Sequence, residues 1–421
     1  MWNGFKGDAG YPPLVLLAIP TVNILNFAYG QLQYFDYNLI KAFFSFAIAY
    51  PKLNELLYGI VYIIVCWTLY LYVPGSVEIG PINASGKRYP YKINSLNCMI
   101  LLMALQVILC FFGILPLETL SLHYDRVIIT FTWLGMGAAI FFYLKGRFMP
   151  TFKTSDSQFR DSFLEDFFSG VELNPRFTND SSHDLKLFTI GHMGMIIWQL
   201  INISHAAYGI NRGSYEALII CLLQTIYVAD WAIFERWYLY TIDMQHDRLG
   251  FYLGFGGFAY MPCIYTGYAF HASHTPANNS NLALFIFAAI YIGGQYLMRA
   301  SNNQKENFRK DPEKLIWGKK PKCLNVIYKT EDGKVRKNTL LLSGFWGWGR
   351  HFNYVGDFLE CFAASAICGF HTFGAHIYSI QLIIILITRA KRDDTRCSLK
   401  YGEDWKKYKE LMPYTFVYGV I

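Results

Sequence analysis

Residues 97–116 read NCMILLMALQVILCFFGILP, a run with no Asp, Glu, Lys or Arg. An α-helix needs about 20 apolar residues to cross a hydrocarbon core about 30 Å thick, and this run has that length. Its apolar residues are continuous rather than alternating with polar ones, which fits a helix and not a barrel strand. Runs of the same kind occupy 11–30, 54–73, 127–144, 187–208, 215–234, 250–270, 282–298, 355–371 and 372–388. Together they predict an all-α polytopic integral membrane protein with about ten transmembrane helices.

Composition points the same way. The chain has 421 residues, of which 53% are hydrophobic, 18% aromatic and only 16% charged. Ordinary globular domains carry about 25% charge, so much of this chain has no water to face. The opening MWNGFKGDAGYPP lacks the basic start, compact apolar core and small-residue cleavage site of a signal peptide, so insertion is expected to rest on the first span. The nine cysteines stand mostly inside apolar runs and form no Cys-x-x-Cys pair, which argues against a disulfide framework and against zinc. No P-loop is present, and GFYLGFGGF at 250–258 does not match Gly-x-Gly-x-x-Gly; it suits close helix packing instead. With no internal repeat and no long linker, one membrane domain over 1–421 is expected. Its plain apolar spans would run to about residue 150, and its polar constellations lie from about 165 onward.

The net charge of +7 is concentrated in residues 299–337 and in the tail after Arg389. Basic segments beside spans stay on the cytoplasmic side, so this charge argues for topology and against nucleic-acid binding. With both segments on one side, the stretch between them crosses an even number of times. Its apolar length allows two short spans of about 16 residues each, bordering a cavity open to the cytoplasm. Within the basic insert, NVIYKTEDGKVRKNTLLLSG predicts a β-hairpin with Asp332-Gly333 as its turn.

Four polar stretches interrupt the apolar pattern. FERWYLYTIDMQHDRLGF at 234–251 places Glu235, Asp243, His246 and Asp247 at the end of a span. Glu235 and Tyr238 are expected to share one helical face, as are Asp243 and Asp247. Ionisable groups at membrane depth are costly and mark function. No second histidine or cysteine stands at ligand spacing from His246, so no metal is expected. Lys305 and Arg309 share a helical face and can clamp a phosphate. LLSGFWGWGRHFNYVGDFLE at 341–360 combines glycines that let backbone approach a ligand with the stacking faces of Trp346 and Trp348 and the guanidinium fork of Arg350. In the tail, Arg389 and Asp393 lie one turn apart, and Tyr401, Trp405 and Tyr408 follow on a short basic helix.

Together these stretches resemble the sterol reductase family. The family pattern Leu-Leu-x-Ser-Gly-Phe-Trp-Gly is matched by Leu341, Leu342, Ser343, Gly344, Phe345, Trp346 and Gly347. The following Arg-His-x-Asn-Tyr-x-Gly-Asp is matched by Arg350, His351, Asn353, Tyr354, Gly356 and Asp357. Arg389, Arg392, Asp393, Cys397, Lys400, Tyr401, Gly402, Asp404, Trp405 and Tyr408 match its closing pattern. GVELNPR matches too, and KGRFMPT, LIWGKKPK and the stretch around FERWYLYTIDMQHDRLGF look most like the delta-7 branch. The likeness covers roughly residues 70–421. Two positions depart from it: Gly257 stands where an aspartate is expected and Tyr260 where a tryptophan is expected, near the implied sterol pocket.

The resemblance implies a sterol substrate, a lipid bilayer as surroundings and NADPH as hydride donor. The membrane would be endoplasmic reticulum in a eukaryote or the inner membrane in a bacterium. Cofactor contacts are implied for Lys305, Arg309, Leu342, Trp346, Trp348 and Arg350. They are also implied for His351, Asn353, Tyr354, Asp357, Arg389, Asp393, Tyr401 and Tyr408. A sterol double bond without a conjugated carbonyl must be protonated before hydride adds, which requires a general acid in a dry pocket. Asp393, Tyr238, Tyr240, Glu235 and His246 are the candidate donors, and Asp243 and Asp247 candidate sterol contacts. The rival readings are a prenylcysteine-type methyltransferase that uses S-adenosylmethionine and a non-catalytic sterol-binding protein. Sterol-dependent NADPH oxidation separates the three.

Overall fold

A computed structural model describes residues 49–419 apart from 84, 153–155, 161, 330–332 and 371–373. The expected first span at 11–30 lies outside the described residues. The chain forms two compact units, one made mainly of residues up to Asn278 together with a short later segment that includes Ala375, the other mainly of Asn279–Phe370 and His376 onward.

The first unit begins with α1 (Leu53–Tyr72). An antiparallel pair, β1 (Ser76–Ile79) and β2 (Pro90–Ile93), then leads into α2 (Ser95–Phe111) and α3 (Tyr124–Phe148). After the short α4 (Phe163–Ser169) come α5 (Leu185–Ile210) and α6 (Tyr215–Ile233). Each of these last two starts where a polar side chain takes up orphan N–H groups. Asp184 accepts from the N–H of Lys186 and Leu187, and Ser214 from that of Ala217. Two one-turn helices follow, α7 (Glu235–Tyr238) and α8 (Ile242–Gln245).

The run 250–270 does not form one helical span. It breaks into α9 (Phe251–Phe255), a π-helix at Gly256–Tyr265 and α10 (Gly267–His274). Pro262 lies inside the π segment and has no N–H to give. The carbonyls around it are taken by side chains: Thr266 Oγ1 donates to Pro262 O at 2.6 Å, and Tyr124 Oη to Cys263 O at 2.9 Å. A second π segment, Phe188–Met195, lies within α5. The two π segments pack closely where side chains are missing. A Cβ on Gly257 would stand 2.8 Å from Thr189, and one on Gly194 would stand 3.0 Å from the Gly257 carbonyl. An aspartate at 257 therefore has no room in this packing.

The second unit opens with α11 (Asn281–Lys310), capped by Ser280. The predicted hairpin follows as β3 (Cys323–Lys329) paired antiparallel with β4 (Val335–Leu341), Val326 opposite Asn338. Gly333 beside the turn has φ +79°, and Asp332 lies outside the described residues. The chain ends in α12 (Asn353–Ile367), α13 (Ile377–Tyr401) and α14 (Glu403–Leu411). Val326 packs with Cys397, Tyr401, Trp405 and Tyr408, which fixes the hairpin to α13 and α14.

The fold is mainly helical rather than all-α, since two short ladders lie in its connecting segments. Among the described residues, five helices are long and apolar enough to span a bilayer: α1, α3, α5, α6 and α11. About ten were expected over the whole chain, 11–30 among them, and within the described residues the other runs fall short for physical reasons. The seventeen-residue α2 is short, 250–270 is broken, α12 has fifteen residues, and the apolar start of α13 continues into a charged end.

Candidate functional site

In the second unit, the sequence 341–357 is built around α11. Gly344 adopts φ +63°, and a Cβ there would collide with the Gln304 side chain. That close approach lets Gln304 Oε1 accept the Phe345 N–H at 2.9 Å. Trp346 is buried and donates its indole N–H to Ser301 O at 2.9 Å. Its ring lies 4.0 Å from Lys305 Nζ, a cation–π contact.

Asp393 on α13 faces the same group. Its Oδ1 accepts from Arg396, three residues later, and its Oδ2 lies 3.9 Å from His351 Nε2. Tyr354 stacks on His351 with ring centres 5.1 Å apart. Burial pushes the His351 imidazole down to about 4, more strongly than Asp393 pulls it up, so the ring is neutral at pH 7. Burial works to raise the Asp393 carboxyl, but Arg396 above all overcomes this, with help from His351 and Lys305, and holds it below the usual carboxylate range. Lys305 and Lys400 each lie within electrostatic reach of Arg309, Arg396 and Asp393. That surplus of cations, beside an aromatic face, suits a ligand with phosphates and flat rings.

The other implied cofactor residues divide. Arg389 acts electrostatically on Asp357. Trp348 is exposed, 5.2 Å edge-on from Phe352. Asn353 opens α12. The Tyr401 hydroxyl accepts from Asn338 Nδ2 at 2.7 Å, Tyr408 Oη donates to Leu341 O at 3.1 Å, and Leu342 packs on their cluster. Arg350 is not presented as a fork for anions. Its Nη1 donates to the carbonyls of Met412 at 2.6 Å and Pro413 at 2.8 Å, and its Nη2 to Thr415 Oγ1 at 3.0 Å. The guanidinium ties down the tail, because carbonyls left by α14 need donors.

In the first unit, Glu235 is fully buried. Its Oε2 accepts the Ser95 N–H at 2.9 Å, and its Oε1 has no hydrogen-bond partner among the described residues. Gly191, in the π segment of α5, admits the Trp231 ring, and a Cβ there would stand 3.6 Å from Glu235 Oε1. Asn94, next to Ser95, accepts through Oδ1 from His192 Nε2 at 2.9 Å, and His192 lies 4.2 Å from the Tyr70 ring. Glu235 stands beyond the end of α6, and burial pushes its carboxyl up to about 7, against the Ser95 and Asn94 hydrogen bonds that lower it. It is an acid that keeps its proton near neutral pH.

Of the other candidates around it, Tyr238 packs against the Leu187–Leu239–Met244 cluster and Tyr240 is exposed. Asp243 and Asp247 do not share a helical face, since α8 ends at Gln245 and His246 follows as its cap. They are instead joined through their backbone: buried Lys186 donates to the carbonyls of Asp243 at 2.6 Å and Asp247 at 2.6 Å. Among the described residues no cluster of His, Cys, Asp and Glu could hold a metal.

Sequence reasoning did not assign roles to Arg396, Lys186 or Ser95. Arg396 had a local signal, its i+3 spacing from Asp393. Ser95 had none, being 140 positions from Glu235.

Comparison with known proteins adds the following. The sequence model described as the ergosterol biosynthesis ERG4/ERG24 family matches residues 15–421. The 7-dehydrocholesterol reductase of Xenopus laevis is 39% identical over 293 residues, 68% of this chain but only 61% of that protein's length. The Arabidopsis thaliana 7-dehydrocholesterol reductase is 34% identical over 360 residues, 84% of this chain and 82% of that protein. The delta(14)-sterol reductase ERG24 of Candida albicans is 30% identical over 454 aligned positions, covering 99% of this chain and 96% of that protein.

Proposed function

The chain belongs to the ergosterol biosynthesis ERG4/ERG24 family, and on that premise we propose that it reduces a ring double bond of a sterol with NADPH. The observation that carries this reading is the cation group Lys305, Arg309, Arg396 and Lys400 around Asp393, beside the Trp346 face. Four cations and one carboxylate suit the phosphates of a dinucleotide, and Trp346 offers its flat rings a surface. Lys305, Arg309 and Arg389 would hold the phosphates, with His351 and Tyr354 lining the site. When bound, NADPH supplies hydride.

This chain's own acid must deliver a proton first, because a double bond without a conjugated carbonyl accepts hydride only after protonation to a tertiary carbocation. Glu235 is the donor favoured by electrostatics: its buried carboxyl keeps a proton to about pH 7. Asp393 is held ionised by Arg396 and serves better as an anion that orders the cations around it. The delta-7 bond is the preferred substrate position, supported by the 39% and 34% identity to two 7-dehydrocholesterol reductases against 30% and 31% to delta(14)-sterol reductases.

The test is purified protein with NADPH and, separately, a delta-7, a delta-14 and a delta-24 sterol, with products identified by mass spectrometry. NADPH consumption with delta-7 sterol supports the full reading. Consumption only with another sterol moves the bond and keeps the reductase. No sterol-dependent consumption removes the reading.

A further inference from the structure

A groove of about 410 Å³ runs along α11 and is lined there by Tyr296, Arg299, Asn303 and Asn307, and across from it by Lys314 and Trp317. At about 100° per residue, Lys305 stands roughly 200° round the helix from Asn303. Asn303 and Asn307 thus stand on the side of α11 turned away from Lys305, while Gln304, Phe308 and Phe345 form the edge of the groove nearest the cation group proposed for the cofactor. We propose that it binds the headgroup of an anionic phospholipid from the surrounding bilayer.

Height comes first. α11 is apolar enough to span, and its apolar run ends at about Leu297. The groove begins there, at the level where a spanning helix leaves the hydrocarbon. Tyr296 is 71% exposed, Leu315 61% and Trp317 56%. Large exposed aromatics at that level are the side chains that settle at a membrane interface.

The opposite wall is strained in a way that serves this presentation. Trp317 has φ +51° and Gly318 φ +77°. Ile316 and Lys319 exchange backbone hydrogen bonds of 2.9 and 3.1 Å across them, which makes a two-residue turn with both central residues left-handed. Such a turn favours Asn-Gly, and a tryptophan there is held against its own preference. Strain of this kind persists where the position of the side chain is needed. The Trp317 ring is held edge-on to Phe345 at 5.0 Å.

Charge selects the headgroup. Arg299 and Lys314 are the ionisable residues lining the groove, and both are cationic. Lys319 follows nearby, while Lys320 pairs with Glu313 at 2.9 Å, so the rim favours a phosphodiester with net negative charge over a zwitterion.

The experiment is native mass spectrometry of detergent-solubilised protein titrated with palmitoyl-oleoyl phosphatidylglycerol or phosphatidylcholine. Wild type should retain phosphatidylglycerol about tenfold better, the scale expected for two cations near an anionic headgroup. Arg299→Gln with Lys314→Gln should abolish the preference. Lys314→Gln alone, at an exposed position that folding tolerates, should lower it by about half on a logarithmic scale. Lys305→Gln should leave it intact. Equal retention of the two lipids by wild type, loss of preference in Lys305→Gln, or displacement of the lipid by NADPH or inorganic phosphate would each overturn the proposal.

Discussion

Arg396 holds Asp393 through two contacts to one carboxylate oxygen, Nε at 3.1 Å and Nη2 at 2.5 Å. The pair keeps Asp393 charged inside a buried setting and makes it a poor proton source. Asp393→Asn should therefore keep turnover at pH 7 within about tenfold of wild type, while apparent NADPH affinity changes. A loss of 10² or more in turnover, the usual scale for a missing general acid, with NADPH still bound, would return the donor role to Asp393.

Glu235→Gln should cost a factor on the order of 10² in turnover of the reduced sterol, with NADPH binding kept. The pH dependence follows from the raised carboxyl, about 7. Below that value the acid is protonated, so wild-type turnover should fall as pH rises through it, and the glutamine variant should lose this limb. Stability carries the same sign. The folded state binds the proton more tightly than the unfolded chain, so this contribution is full below about pH 4.5 and is lost as pH rises through about 7. Thermal unfolding against pH checks it.

Lys305→Ala with Arg309→Ala should weaken NADPH by about tenfold or more and leave sterol affinity unchanged, because charge-assisted contacts to phosphate are removed. Separate equilibrium titrations of the two ligands decide this. Unchanged NADPH affinity would end the phosphate assignment.

Arg350→Ala should act on the tail. Losing charge-assisted hydrogen bonds to Met412, Pro413 and Thr415 should destabilise by on the order of 2 kcal/mol and speed proteolysis after α14. Arg350→Lys should rescue poorly, since one ammonium cannot reproduce the fork. A variant with wild-type protease resistance and weakened NADPH binding would instead give Arg350 a direct ligand role.

Gly257→Asp would restore the residue expected from the family pattern. It should destabilise by about 1–3 kcal/mol through overpacking, because its Cβ would stand 2.8 Å from Thr189. Undiminished thermal stability would show that the two π segments can move apart.

Much of this architecture was legible in the sequence. Continuous apolar runs located α1, α2, α3, α5, α6 and α11, and alternation around Asp332-Gly333 located the β3–β4 hairpin, because those signals are local. Arg350 and the pair Asp243 and Asp247 were harder to read. Composition shows that an arginine offers a fork, but only the path of residues 412–415 shows what fills it. Likewise a four-residue spacing implies one face only while the helix continues, and α8 stops at Gln245. The buried setting of Glu235 depends on Ser95 and Gly191, brought together by tertiary packing that no local window contains.

The crossing of α11 and α12 has a consequence for how this protein can vary. A Cβ on Gly294 would stand 2.7 Å from the Gly356 carbonyl, and one on Gly356 would stand 2.6 Å from the Gly294 carbonyl. Each glycine is thus excluded from change by the backbone of the other, not by its side chain. Backbone cannot be substituted, so no second mutation at either position relieves the first. The two sites form a closed door to drift: divergence must pass around them, through helix displacement, and not through them.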